Sequence, residues 1–557
     1  MPEIGLEWFG SHRDTPEYER LLPAGRPRLS SPHQLAQSDC TTGQSTIVTS
    51  QIHSVSARPD ESVDLLEPTE EQLRAFLDRQ RAAFLDRGAP SVASRRDRID
   101  RLILMVTENA DAFAAALAAD FGHRPETLSK FSDILGVLGD IQLTRARLRA
   151  WMRPSRPLRG SGLFGVASRV ERVPLGVVGI IGPWNFPLGL VIEPAAAAFA
   201  GGNAVMVKFS EVTTHTAELF VRKVAEYFDP SEFIAVSGGP TVGSAFSALP
   251  FDHLFFTGSP KVGALVAAAA GRNLVPVTLE LGGKNPVVVD PAADIGRAAR
   301  RLAEARLMNG GQLCLCPELV FVPEEQKTAF LEGVLRRARA IAGSDGGHVA
   351  VVNDANFTRV TGLLEDARGK GATVHEAVPG ERPDPVARRI PPVVVTDFDD
   401  TMTIADEEIF GPILMVRSYR TIDEVIAYLA PRPAPLAAYW FGPENEAFLA
   451  FTGRVRFGGM TVGDVALHCA IPALPFGGVG HSGSGAYHGR RGFETFTHAR
   501  AITTSRLPMS VGALATPPVG RRTAALVDSM IARTAAAARR RLDRASDSSA
   551  PRNTGEK

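Results

Sequence analysis

The period of the apolar positions changes along this chain, and each change marks a new kind of element. Behind Thr69-Glu70-Glu71-Gln72, the residues Leu73, Phe76, Leu77, Gln80 and Phe84 follow at helical spacing. A threonine followed three positions later by a glutamine lets the two side chains satisfy the first free N–H groups of a helix, so a capped helix is predicted to start here. A second helix is predicted over 94–109, with Ile99, Leu102, Ile103, Met105 and Val106 on its apolar face, and a third over Ala110–Phe121.

From residue 177 short uninterrupted apolar runs alternate with helical ones. Strands are expected at Val177–Ile181, Ala204–Lys208, Phe233–Val236 and 253–256, and helices at 192–200, Thr214–Tyr227, 241–248 and Pro260–Gly271. Fully apolar strands, each followed by a helix, belong to a mostly parallel sheet covered on both faces. Such sheets bind ligands beyond the carboxyl ends of their strands. Strands at Pro286–Val289 and 319–322, with helices over 294–308, 325–342 and 357–370, predict a second α/β unit from about 281 to about 451. After Gly477 the chain is glycine-rich; a strand over 493–502, an Ala/Arg-rich amphipathic helix over 521–542 and a polar tail are expected.

Residues 1–66 mix Ser, Thr, Pro, Gln and charge without periodicity and read as a largely disordered extension. The run Gly160-Ser161-Gly162-Leu163-Phe164-Gly165 spells G-x-G-x-x-G. That fingerprint needs a strand before it and a helix after it. Here a proline-rich run precedes and a β-like 166–173 follows, so it reads as a connector.

Composition narrows the class. With 61 basic and 61 acidic residues in 557, no net charge draws the whole chain to nucleic acid or an anionic membrane. Four cysteines, Cys40, Cys314, Cys316 and Cys469, are too few for a disulfide framework and fit a reducing, cytoplasmic compartment. No apolar run reaches the length of a membrane span, and the N-terminus carries Glu3, Glu7 and Asp14 rather than a signal peptide's apolar core.

The candidate chemistry centres on Cys314, which stands behind Gly310-Gly311-Gln312 and ahead of the β-rich Leu319-Val320-Phe321-Val322. Glycines let backbone approach a substrate closely, so the thiol is placed like a nucleophile, although a lone cysteine is more often a small buried hydrophobe. Four more stretches keep it company. Gly182-Pro183-Trp184-Asn185-Phe186-Pro187 and Lys208-Phe209-Ser210-Glu211 follow strands; Thr257-Gly258-Ser259 joins a strand to a helix; Leu279-Glu280-Leu281-Gly282-Gly283-Lys284 precedes the second unit. Taken singly, Glu280 would be a surface or ion-paired carboxylate, Asn185 a turn residue, and Trp184 core as readily as substrate wall. Cys316 suggests a metal pair, but no second ligand pair accompanies it, and no metal site is assigned; a transient Cys314–Cys316 link under oxidation is left open, on the view that alternate strand residues project together. Gly258–Gly263 imitates a phosphate loop but lacks the Lys-Ser/Thr that must follow. Arg539-Arg540-Arg541 reads as a solvated helix face, with a membrane or partner contact as the lesser reading.

Taken together and in this order, these motifs resemble the aldehyde dehydrogenase superfamily, from about Thr69 to about Ala524. Phe121-Gly122-His123-Arg124, Trp151-Met152-Arg153-Pro154, Val352-Asn353-Asp354, Leu474-Pro475-Phe476-Gly477-Gly478-Val479-Gly480 and Tyr487-His488-Gly489 resemble its coniferyl aldehyde dehydrogenase branch, close to the dimeric class 3 and fatty aldehyde enzymes. The resemblance implies an α/β fold of three parts. A Rossmann-type NAD-binding domain would span 67–152 and 171–281, a catalytic domain 282–451, and a small β oligomerisation arm 153–170 with 490–507. Residues 452–489 would form substrate loops and 508–557 a C-terminal helix and tail. It also implies Cys314 as nucleophile, Asn185 and the Cys314 backbone N–H as oxyanion donors, and Glu280 as the base that activates water.

The cofactor implied is NAD, with NADP as the alternative, because Glu211 beside Lys208 and Ser210 favours a free ribose hydroxyl. Gly258 and Ser259 would face the pyrophosphate, with Pro183, Trp184 and Gly282 nearby; Glu408 would hold the nicotinamide ribose and Phe410 back the ring. Partners implied are a small aldehyde and a second copy of the chain, as a dimer or tetramer. Three positions depart from the family's pattern: Phe209 where proline is usual, Gly463 where asparagine is, and Ser484 where methionine is common.

The expected function is oxidation of a bulky, aromatic aldehyde to its acid, with long-chain aliphatic aldehydes as the alternative. Release of the thioester to coenzyme A is disfavoured by Glu280. A non-catalytic binding protein on the same fold is disfavoured by the intact Cys314, Glu280 and Asn185, and a papain-like hydrolase by the absence of its cysteine signature.

Overall fold

The computed structural model describes residues 65–157, 165–344, 346–507, 510, 512 and 516–549. The expected N-terminal extension, except its last two residues, lies outside them, as do most of the Gly160–Gly165 run and the end of the polar tail.

Thr69 caps the first helix, Glu70–Arg87, in the reciprocal arrangement its sequence predicts: Gln72 N–H donates to Thr69 Oγ1 and Thr69 N–H to Gln72 Oε1. Helices Val92–Glu108 and Ala110–Phe121 follow. A further stretch, Glu126–Trp151, is helical with a π-turn at Lys130–Leu135 and was not anticipated.

Strands Val277–Leu281, His253–Gly258, Val177–Ile181, Ala204–Lys208 and Phe233–Val236 lie side by side in that order, all parallel. In chain order this is 5-4-1-2-3, so the direction of winding reverses between Val177–Ile181 and His253–Gly258, where open α/β sheets bind ligands. Gly483–Ser484 adds a short antiparallel edge beside Val277–Leu281, pairing Gly483 with Glu280. The second sheet has seven strands: Gly459–Val462, Ala437–Phe441, Pro286–Val289, Leu319–Pro323, Ile413–Tyr419, Val393–Thr396 and Thr373–Glu376, parallel except for the last pair. Both sheets are covered by helices, and one apolar core, including Val178, Phe199, Phe255, Val287, Val320 and Tyr439, runs through both units.

A third sheet is a two-stranded ribbon in which Val166–Pro174 pairs antiparallel with Thr497–Ser505. This corrects the strand expected over 493–502. Residues Gly489–Thr495 are a helix instead, because Gly489, Gly492 and Phe493 share one helical face. A Cβ at Gly492 would sit 3.2 Å from that of Ala197, so the glycine lets this helix press onto Gly189–Gly201.

Among the described residues no single helix is long and apolar enough to cross a membrane. Val92–Glu108 and Ala110–Phe121 pass such a test only together, are bent by 65°, and bury their apolar faces in the core.

Candidate active site

Every residue the sequence marked for catalysis or cofactor binding lines one cavity of about 1730 Å³ between the two sheet units. The six-stranded sheet and its loops bring Pro183, Trp184, Asn185, Lys208, Ser210, Glu211, Gly258, Ser259 and Glu280 to it, with Gly282 just past Glu280, and the seven-stranded unit brings Cys314, Glu408 and Phe410.

The backbone turns sharply before the thiol. Asn309, Gly310 and Gly311 all have positive φ, at 49°, 65° and 80°. Any Cβ at Gly311 would collide with the carbonyl of Gly411, so glycine is required there. The Gln312 carbonyl then accepts from Asn185 Nδ2 at 3.1 Å and Asn309 Nδ2 at 3.2 Å. The Asn185 carbonyl accepts from Asn309 Nδ2 at 3.1 Å and from Arg124 Nη1 at 3.2 Å. Asn185 is thus bound to the thiol loop by its side chain and its main chain.

Cys314 lies in a turn rather than a strand, which removes the ground for a parallel Cys314–Cys316 pair. Cys316 is buried, and its Sγ approaches the Ala305 carbonyl at 3.5 Å. Cys314, Cys316 and Cys469 are free thiols. Burial pushes the Cys314 thiol up, with Glu408, Glu280 and Cys316 adding to the effect. The protein alone therefore holds it as a neutral thiol at neutral pH.

Glu280 is buried, and among the described residues neither carboxylate oxygen has a hydrogen-bond partner. Burial, then the charge of Glu193, lifts its pKa well above the usual carboxylate range. A carboxyl left unpaired against a cavity is costly unless a ligand or water engages it. Glu193, on helix Gly189–Gly201, pairs with His488 at 3.2 Å between Oε1 and Nε2. Close by, Asp140 Oδ1 accepts from Gly489 N–H at 2.6 Å. Asp140 is pushed up to about 6 by burial and by Glu193, opposed by His488 and the Gly489 N–H.

On the cofactor side, Lys208 is buried at 5% exposure and its Nζ meets Glu211 Oε2 at 3.2 Å. Helix Pro260–Gly271 begins inside the cavity, and Ser259 caps it by accepting from Val262 N–H at 3.3 Å. Pro260 carries no N–H and those of Val262 and Gly263 donate to Ser259, so the first turn offers the cavity the Lys261 N–H and a positive dipole end. Gly282 passes so close to the carboxylate of Glu408 that a Cβ would overlap it. Glu408 is pushed up to about 8, by burial and then by Glu318. Phe410, at φ 50°, stands edge-to-face with Trp184 at 5.3 Å, so Trp184 is cavity wall and Phe186 is core. Volume, a helix start, the carboxylates of Glu211 and Glu408 and an aromatic wall together suit a dinucleotide.

Several positioning residues escaped the sequence reading. Arg124 and Asp133 form a fully buried ion pair at 2.6 Å that holds the Asn185 loop, and Asp133 Oδ1 also accepts from Gly189 N–H at 3.4 Å. Asn285 Nδ2 donates to the carbonyls of Cys314 at 2.6 Å and Cys316 at 3.0 Å. Glu318, buried between Lys284 and Arg306, accepts from Ile409 N–H at 3.0 Å and so fixes the Glu408–Phe410 stretch. Arg124 was visible as a family motif; the others carried no local signal, because each acts on a segment far along the chain.

The departures also find places. Phe209 is buried against Phe220, and its N–H donates to Val236 at 2.8 Å, a bond proline cannot make. Gly463 has φ 72° with open space where a Cβ would go, and Ser484 is an exposed edge residue paired with Leu279. Among the described residues no group of three or more His, Cys, Asp or Glu is arranged to hold a metal ion.

Comparison with known proteins agrees with this geometry. The sequence profile of the "Aldehyde dehydrogenase family" matches residues 55–502. The chain is 42% identical over 438 residues to a coniferyl aldehyde dehydrogenase of Pseudomonas sp. (strain HR199 / DSM 7063), covering 78% of this chain and 90% of the relative. It is 35% identical over 438 residues to the dimeric NADP-preferring aldehyde dehydrogenase of Rattus norvegicus, covering 77% and 94%. Its fold matches the substrate-bound Staphylococcus aureus AldH with a TM-score of 0.74 at 33% identity, covering 80% and 96%. The chain belongs to the aldehyde dehydrogenase family and is an NAD(P)-dependent enzyme that oxidises aldehydes to carboxylic acids.

Proposed function

We propose that the substrate is a bulky aromatic aldehyde of the coniferyl aldehyde kind, that Cys314, Asn185 and Glu280 carry the reaction, and that the chain works as a cytoplasmic homodimer. The observation that carries the catalytic reading is the convergence of the three groups, 34, 95 and 129 positions apart in the chain, on one cavity, with Asn185 bonded to the loop that carries the thiol. For the substrate, the support is the 42% identity to a coniferyl aldehyde dehydrogenase. The exposed ribbon of Val166–Pro174 and Thr497–Ser505 supports a pairing arm, and the name of the rat relative supports a dimer.

Lys208, Glu211, Ser259 and Glu408 would hold NAD(P) in the cavity, where it would accept the hydride and add a positive charge that favours the thiolate. The sulfur of Cys314 adds to the aldehyde carbon, forming the C–S bond and placing negative charge on oxygen. The free N–H of Asn185 and the backbone N–H of Cys314 hold that oxyanion. After hydride loss a thioester remains on Cys314. Glu280, with no hydrogen-bond partner among the described residues, takes a proton from water; the hydroxide adds to the thioester carbon, the C–S bond breaks and the acid leaves with the thiolate of Cys314 restored.

The test is formation of reduced nicotinamide against a panel of aromatic and long-chain aldehydes. Coniferyl aldehyde should give the highest kcat/KM, without coenzyme A, and Cys314→Ala should abolish the signal. A preference for long-chain aliphatic aldehydes would overturn the substrate assignment. Retained turnover in Cys314→Ala would overturn the mechanism.

A further inference from the structure

The last element, helix Arg521–Ser549, plays no part in the site and lies beyond residue 502, where the family match ends. Leu526, Val527, Met530, Ile531 and Leu542 stand 48–70% exposed. At 100° per residue these positions fall within one broad arc, together with Ala538. Arg521, Arg522, Arg533, Arg539 and Arg540 fall on the other side; Arg541 lies within the apolar arc, just before Leu542, and Arg544 at its edge. From Arg521 to Arg544 there are seven arginines and two aspartates, a strong local excess in a chain with no net charge.

An isolated helix with this much apolar surface in water is only marginally stable, so something covers the arc. Its breadth and charge say what. A helix–helix seam is narrow, with apolar residues every three to four positions and opposite charges beside it. Here apolar residues come in adjacent pairs, Leu526-Val527 and Met530-Ile531, and the charged residues as far as Arg544 are seven arginines against two aspartates, which would repel a second copy. A wide apolar face bordered by cations suits the boundary between acyl chains and anionic headgroups, with the long arginine stems carrying charge outward.

We propose that Arg521–Ser549 is an in-plane anchor that docks this enzyme on anionic lipid surfaces. The family's fold does not require the helix, and the catalytic cavity lies elsewhere, so docking adds a location without changing the chemistry. The test is co-sedimentation of the full-length protein with vesicles of phosphatidylcholine alone or mixed with phosphatidylglycerol. Anionic vesicles should carry down about tenfold more protein, a difference erased by high salt. Met530→Asp/Ile531→Asp should abolish binding, and Arg539→Glu/Arg540→Glu should abolish the preference for anionic lipid with the apolar face intact; both should oxidise aldehyde in solution at the unaltered rate. Equal recovery from the two vesicle types, or binding retained by Met530→Asp/Ile531→Asp, would overturn the proposal. So would a drop in molar mass by light scattering in that variant, which would assign the arc to a second copy.

Discussion

The side-chain amide of Asn285 donates at 2.6 Å to the carbonyl of Cys314, across 29 positions of chain. Asn285 is the first residue past Glu280-Leu281-Gly282-Gly283-Lys284, so one short segment carries both the carboxyl that faces the cavity and the amide that holds the thiol loop. The same amide reaches Cys316, and its oxygen accepts from Ala437 N–H at 2.9 Å, joining the loop to the seven-stranded sheet. Asn285→Ala should cost about 3 kcal/mol of stability, from buried groups left unpaired. Thermal unfolding checks this, and kcat should fall with little change in cofactor affinity.

Arg124 and Asp133 act on the opposite wall. Removing one partner of a fully buried ion pair leaves the other charge stranded, at about 3–5 kcal/mol. Arg124→Met should therefore lower Tm sharply and also reduce kcat/KM, since Asn185 loses a support. Arg124→Met/Asp133→Leu should recover most of the stability but not the activity. Recovery of both would show that the pair does not position Asn185.

On the proposed mechanism, Glu193 tunes the base. Its charge is the second cause, after burial, of the raised pKa of Glu280. Only the ionised carboxylate of Glu280 accepts water's proton, so thioester hydrolysis should increase as pH rises through that pKa. Glu193→Gln removes the charge, so the acid limb of the pH–rate profile should move to lower pH. A profile that stays in place, measured under conditions where hydrolysis limits turnover, would contradict the coupling.

Glu280→Gln separates the two halves of the reaction. A burst of reduced nicotinamide stoichiometric with sites should persist, followed by turnover about a hundredfold slower or more. Full steady-state turnover in this variant would remove Glu280 from the role of base.

His253 and His468 predict the acid limit of stability. Burial first, joined at His468 by His488, holds each at about 4. An unfolded histidine titrates near 6.5, so between pH 6.5 and 4 the unfolded chain binds more protons and stability falls as pH falls. Integrated to pH 4 this is about 3 kcal/mol for each residue. Tm measured from pH 7 to pH 4 checks the slope, and His253→Gln should flatten it.

The alternation of apolar strands with helices was legible because fully buried parallel strands have no polar face to hide. Thus Val177–Ile181, Ala204–Lys208 and Pro260–Gly271 fall where the pattern put them. The helix at Gly489–Thr495 was misread because Phe493, Thr495, Phe496 and Thr497 look β-rich, and only the contact of Gly492 with Ala197 makes the helical face useful. The π-turned stretch Glu126–Trp151 was missed, although its Asp133 supports the active-site loop.

By itself the sequence determined which groups can do chemistry, since a thiol behind two glycines, an amide after a strand and a carboxyl between leucines are properties of local residue type. Tertiary structure decided how those groups are held and charged. The positive φ run at Asn309–Gly311, the reach of Arg124 and Asn285 across distant segments, and the burial that lifts Glu280 and Glu408 all arise only when the two sheet units close on one cavity. Hydrogen bonds and desolvation depend on distances in space, and residue order along the chain does not encode those one by one.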